Sequence, residues 1–155
     1  MIAFRTVLVA MDFSDAARAA LESARPLAVT FGASLHVLHV VTEPLGQPWS
    51  GYVPAAQFIE TVERLQAEAQ DRLTEYLSLD EWRNLRVVVA TAWGDPSEQI
   101  LEYAEAHGVD LIVCGTHGRC GWNRVLMGSV AERVVRLARC PVLTVHADLA
   151  AADAA

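Results

Sequence analysis

The chain contains no lysine: all 12 of its basic residues are arginine. That absence excludes a Schiff-base lysine, a P-loop lysine and a kinase-type lysine. Cysteine is scarce too. Cys114, Cys120 and Cys140 form an odd set with no framework spacing, as expected of reduced thiols in a cytosol. Long apolar runs are missing. The stretch from Thr6 to Met11 is far too short for a signal-peptide core or a membrane span. Cations are outnumbered, 12 against 19 acidic residues, for a net charge of −7. Nucleic acid and anionic membranes need a basic surface, so neither is expected as the main partner. These absences together predict a soluble, cytoplasmic protein.

What is present is one domain's worth of chain, 155 residues of which 53% are hydrophobic. Short apolar runs alternate with segments of helical period. Phe4 to Ala10 reads as a buried strand. Ser14 caps a helix running to about Phe31, with Gly32 at its end and Pro26 as a source of a kink. Ser34 to Val41 is a second strand containing His36 and His39, both expected to be packed or bonded to backbone. A long connection, Thr42 to Ala56, carries Trp49 and Tyr52 and has the length of a functional loop. Gln57 to Leu77 is an amphipathic helix with Phe58, Val62, Leu65, Ala69, Leu73 and Leu77 on one stripe.

Leu85 to Thr91 is the third strand. Asp95-Pro96-Ser97-Glu98 opens a helix with a cap, a proline at the first position and a glutamate at the third. Asp110 to Cys114, Ser129 to Ala138 and Pro141 to Val145 complete the alternation as strand, helix and strand. Strictly alternating strands and helices predict an α/β fold: a doubly wound, five-stranded parallel sheet with helices on both faces. With right-handed crossovers and the first strand central, the strand order is 3-2-1-4-5. Residues 1–146 then make a single domain, and the Ala-rich tail, 147–155, is expected to be disordered.

The most telling segment is Gly115-Thr116-His117-Gly118, which follows the fourth strand and leads to Gly128-Ser129 at the next helix start. Glycines let backbone approach a ligand closely, and the N–H groups of a helix start attract anions. In a doubly wound sheet, ligands bind beyond the carboxyl ends of the strands where the winding reverses. Here that point brings Ala10-Met11-Asp12 and Cys114-Gly115 together. The glycine pattern and the topology therefore indicate one phosphorylated-ligand site by independent routes.

These residues carry a resemblance. Thr6 to Ser14, Leu38-His39-Val40-Val41, Gly94-Asp95-Pro96 and the closing piece from Gly115 to Val145 resemble the universal stress protein family. The set Gly115, Gly118, Gly128 and Ser129 is similar to the G-x2-G-x9-G-[S/T] motif of its ATP-binding branch. The resemblance implies that Asp12 bonds the ribose or adenine side, and that Ala10, Met11 and Val40 line the adenine pocket. It implies that Gly115 and Gly118 admit ribose and phosphates. Gly128, Ser129 and Val130 would hold phosphates through backbone N–H groups and the Ser129 hydroxyl. Thr116, His117 and Arg119 fall within the same loop, and Arg119 and Arg124 are natural phosphate partners in a chain without lysine. The ligand implied is ATP, or AMP or ADP, with Mg2+ carried on the phosphates. The last strand, Pro141 to Val145, resembles the family's dimer edge. A departure is Trp122, bulky within a span that often holds small residues.

Plainer roles stand beside these. The glycines alone describe a flexible loop, and Asp12 could simply face the helix start before Ser14. Cys114, His117 and Cys120 have a metal-like spacing but lack a fourth ligand. No catalytic constellation stands out, and no lysine is there to neutralise a transferring phosphoryl group. The expected function is an ATP-binding regulatory or stress-response protein, dimeric, acting on an unknown protein partner. Two alternatives remain: slow partner-assisted ATP hydrolysis with Asp12 or His117 orienting water, and a dimeric interaction protein with no nucleotide.

Overall fold

Each apolar run becomes a strand of one parallel sheet in a computed structural model that describes residues 3–42, 54–116 and 127–147. The elements are β1 (Thr6–Ala10), α1 (Asp15–Phe31), β2 (Ser34–Val41), α2 (Ala55–Leu77), β3 (Arg86–Trp93), α3 (Pro96–Ala106), β4 (Leu111–Gly115), α4 (Ser129–Leu137) and β5 (Val142–Val145). The sheet order is β3-β2-β1-β4-β5, as the winding argument requires. β1 is central, and Val7, Leu8 and Val9 are wholly buried because both faces are covered.

The period-2 alternation splits the core in two. Val7 and Val9 join Leu35, Val37, Leu73 and Leu111 on the side of α1 and α2. Leu8 joins Leu38, Ile100, Ile112 and Val134 on the side of α3 and α4. The start of the sheet is latched by Asp110, whose carboxylate accepts the N–H groups of Arg5 and Thr6 at 2.8 and 2.9 Å.

The helix signals work as the residues dictate. Ser14 Oγ accepts the Ala17 N–H, and Asp95 accepts the Glu98 N–H with Pro96 at the first position. α1 ends on Gly32 at φ 63°, and it continues through Pro26 as one helix. α2 departs from its simple stripe: only Ala69 and Leu73 are buried, while Ile59 is 55% exposed. At about 1.5 Å per residue its 23 residues run about 35 Å, and the 8 residues of β3 span only about 26 Å. The helix outruns the sheet it covers. A 3-10 turn, Asp80–Trp82, has no counterpart in the sequence reading and sinks Trp82 into the α1/α2 core at 1% exposure.

At the opposite end of the sheet from the strand carboxyl ends, His36 Nδ1 meets Tyr103 Oη at 3.0 Å, and Tyr103 stacks on His107 at 3.8 Å. Burial, and then the neighbouring His107, hold His36 below its ordinary value of 6.5. The folded state therefore takes up this proton less readily than the unfolded chain. Stability should fall as pH drops from about 6.5 towards the lowered folded value, and His36→Gln should flatten that part of the profile. Urea midpoints of both proteins at about pH 7.5 and about pH 5.5 check this. An unchanged slope in the variant would assign the acid loss to other groups.

Candidate functional site

At the switch point the chain leaves β1 towards α1 on one face of the sheet, whereas α4, reached from β4, packs on the other. The β1 exit is tightly bound. The Met11 N–H donates to the Leu38 carbonyl at 2.9 Å, and His39 Nδ1 lies 2.7 Å from the Met11 carbonyl oxygen. Asp12 Oδ1 accepts the Ser14 N–H at 3.0 Å, so the plainer helix-start role of this carboxylate is real. Between them Phe13 sits at φ 64°, in the left-handed region. Its ring lies 3.9 Å below the Arg72 guanidinium and 5.0 Å from His39.

The β4 exit is equally defined. A Cβ on Gly115 would lie 2.8 Å from the backbone and side chain of Ala16, so glycine here is required by the approach of α1. Thr116 is 3% exposed. Its N–H donates to Val145, its hydroxyl lies 3.0 Å from His146 Nδ1, and its carbonyl accepts the Gly128 N–H at 2.6 Å. The chain thus returns at Gly128 to the residue from which it left the sheet. His117, Gly118 and Arg119 lie outside the described residues, as do Cys120, Trp122 and Arg124. The metal-like reading of Cys114, His117 and Cys120 rests on two of these. Gly128 directs its own N–H to Thr116, and Ser129 and Val130 open the first turn of α4. Unlike α1 and α3, α4 has no side-chain cap. First-turn amides have no acceptor within the helix and carry its partial positive charge.

The apolar wall divides. Ala10 and Val40 are half-buried against the α3/α4 core, with Ala92 paired to Val40 in the neighbouring strand. Met11 instead enters the α1/α2 core at 4% exposure, so its side chain lies across the sheet from them. Burial pushes the Cys114 thiol up to about 11, which keeps it neutral and unreactive at neutral pH. Beside α4, Ser97 and the Glu98 N–H draw the Asp95 carboxyl below its ordinary range, and Arg133 bridges to Asp95 and Glu98 at 3.4 and 2.8 Å. Among the described residues no three His, Cys, Asp or Glu side chains converge as a metal site would need.

Residues 3–146 match the model of the universal stress protein family. The chain belongs to that family. A universal stress protein of Methanocaldococcus jannaschii is 35% identical over 143 residues, covering 92% of this chain and 82% of that protein. The structure of the universal stress protein UspA from Lactobacillus plantarum superposes with a TM-score of 0.77 at 30% identity, covering 94% of this chain and 99% of that one. A crystal structure of a universal stress protein in complex with cAMP superposes with a TM-score of 0.60 at 26% identity, covering 94% and 99%.

Four contributors to this end of the sheet were not singled out as site residues: Phe13, His39, Arg72 and His146. His39 was open to inference from register, since it follows the Leu38 that pairs with Ala10. Arg72 gave no signal, because an arginine on the polar side of a helix looks like any solvated charge.

Proposed function

We propose that this universal stress protein binds an adenine nucleotide, ATP foremost, across the carboxyl ends of β1 and β4, and that it acts as a dimeric regulator through the nucleotide's effect on a protein partner. One observation carries this reading. The uncapped start of α4 and the Asp12 turn follow the carboxyl ends of the neighbouring strands β4 and β1, at the winding reversal, and the small apolar residues Ala10 and Val40 lie at the same end of the sheet. Anion donors at one end, a carboxylate for sugar or base hydroxyls and amines at the other, and an apolar wall between match a nucleotide's own sequence of chemistry. The cAMP bound by a relative supports the adenine class. Mg2+ would arrive with the nucleotide and be held by phosphates and water, since Mg2+ keeps much of its water shell. Mass spectrometry of ligand released from the denatured protein tests the reading, followed by calorimetry with ATP. Gly128→Val should abolish ATP binding, by crowding the phosphates at the start of α4. A wild type that neither retains nor binds an adenine nucleotide sinks the proposal.

The dimer is proposed through β5. Among the described residues this strand is an edge of the sheet, and its Leu143 is 39% exposed. An open, uncharged edge invites pairing with a second copy about a two-fold axis. Sedimentation should give a dimer at micromolar concentration, and Leu143→Lys should give monomer. A wild-type monomer refutes the dimer; a dimer surviving the substitution refutes this interface.

A further inference from the structure

We propose that Phe13, clamped by Arg72 of α2, is a positioning residue that sets Asp12 for the nucleoside; this rests on the nucleotide reading above. A bulky side chain at φ 64° is strained, because its Cβ crowds the backbone in the left-handed region. Such a conformation persists only where its surroundings over-determine it. Here they do. The Arg72 guanidinium carbon is 3.9 Å from the Phe13 ring centre, His39 packs at 5.0 Å, and the preceding Met11 is held on both its N–H and its carbonyl.

The left-handed turn at Phe13 brings the Ser14 N–H back to Asp12 Oδ1 at 3.0 Å. Were Phe13 to relax to negative φ, that N–H would swing away. The Asp12 carboxylate would lose its orientation, and Ser14, which caps α1, would shift with it. Among the described residues, the contact Arg72 makes is with the Phe13 ring, which is not itself assigned to the ligand. Its ring contact instead ties α2 to the end of β1, so the fraction of molecules with Asp12 correctly set depends on a distant helix. Affinity falls in proportion to that fraction.

Calorimetry with adenosine and with ATP tests the clamp in Arg72→Ala, Arg72→Lys and Phe13→Gly, each alone and combined with Asp12→Ala. Arg72→Ala should weaken both ligands by about two- to five-fold, the range of an exposed cation–ring contact. Arg72→Lys should lie between, since it keeps a cation without the planar face. In the Asp12→Ala background the Arg72→Ala effect should vanish. Hydrogen exchange of the Ser14 amide in ligand-free protein reads the turn directly and should accelerate in Arg72→Ala. Loss of ATP but not adenosine affinity, or an equal loss without Asp12, would show Arg72 acting on the ligand by charge and overturn the positioning role. So would an Arg72→Ala protein that binds both ligands as tightly as a wild type that binds normally. A wild type that binds neither ligand overturns the nucleotide reading, and the positioning role with it; accelerated Ser14 exchange would then show a purely structural clamp.

Discussion

Gly115→Ala is expected to destabilise the protein by about 1–3 kcal/mol, the usual cost of overpacking a tight site, and Gly115→Val by more. The added Cβ would lie 2.8 Å from both the carbonyl carbon and the Cβ of Ala16, and backbone cannot step aside as a flexible side chain can. α1 would have to lift from β4. Because α1 begins at the Asp12 turn, the displacement reaches the site as well as the core. Urea unfolding measures the effect. A Gly115→Ala protein within about 0.5 kcal/mol of wild type would mean that α1 shifts freely, and that the close contact is not a constraint. Gly115 is thus demanded by packing, whatever freedom it also gives a ligand.

Asp12→Ala is expected to weaken adenosine and ATP alike by roughly 1.5–3 kcal/mol, typical of a hydrogen bond to a charged group. Asp12 would repel phosphate, so the partner proposed for it is the nucleoside. The substitution also removes the acceptor of the Ser14 N–H, so a second variant separates the two roles. Asp12→Asn keeps an oxygen for that turn while removing the charge. It should retain most of the stability that Asp12→Ala loses. Calorimetry on both variants decides. If only ATP weakens, Asp12 acts through the metal and not the nucleoside.

The sheet was legible because its strands are short, apolar and separated by strong helix starts. Ser14 and Asp95 mark their helices with caps that the structure uses, and Ser34–Val41 has the bounds read from the sequence. Boundaries slipped where end residues are ambiguous: β1 starts at Thr6 and not Phe4, and β3 runs on to Trp93. The turn at Asp80–Trp82 was missed because its driving force is burial of Trp82 beneath α1 and α2, a tertiary fact with no local period. The placement of Asp12 and of the start of α4 at the carboxyl ends of β1 and β4 followed from topology. The opposite facing of Met11 and Val40 follows from alternation about their strands. The clamp on Phe13 did not follow, since it joins residues on two elements through one ring.

The central position of β1 has a consequence for synthesis. Its residues are made well before their second neighbour: the Asp110 that receives the Arg5 N–H lies 105 residues further along, and β4 follows it. At about 5–20 residues per second, β1 waits roughly five to twenty seconds for its second neighbour. Until then the central strand can pair only with β2 and keeps one side open. A nascent chain stalled before β4 would therefore offer its hydrophobic centre as an edge, and the finished domain closes it last.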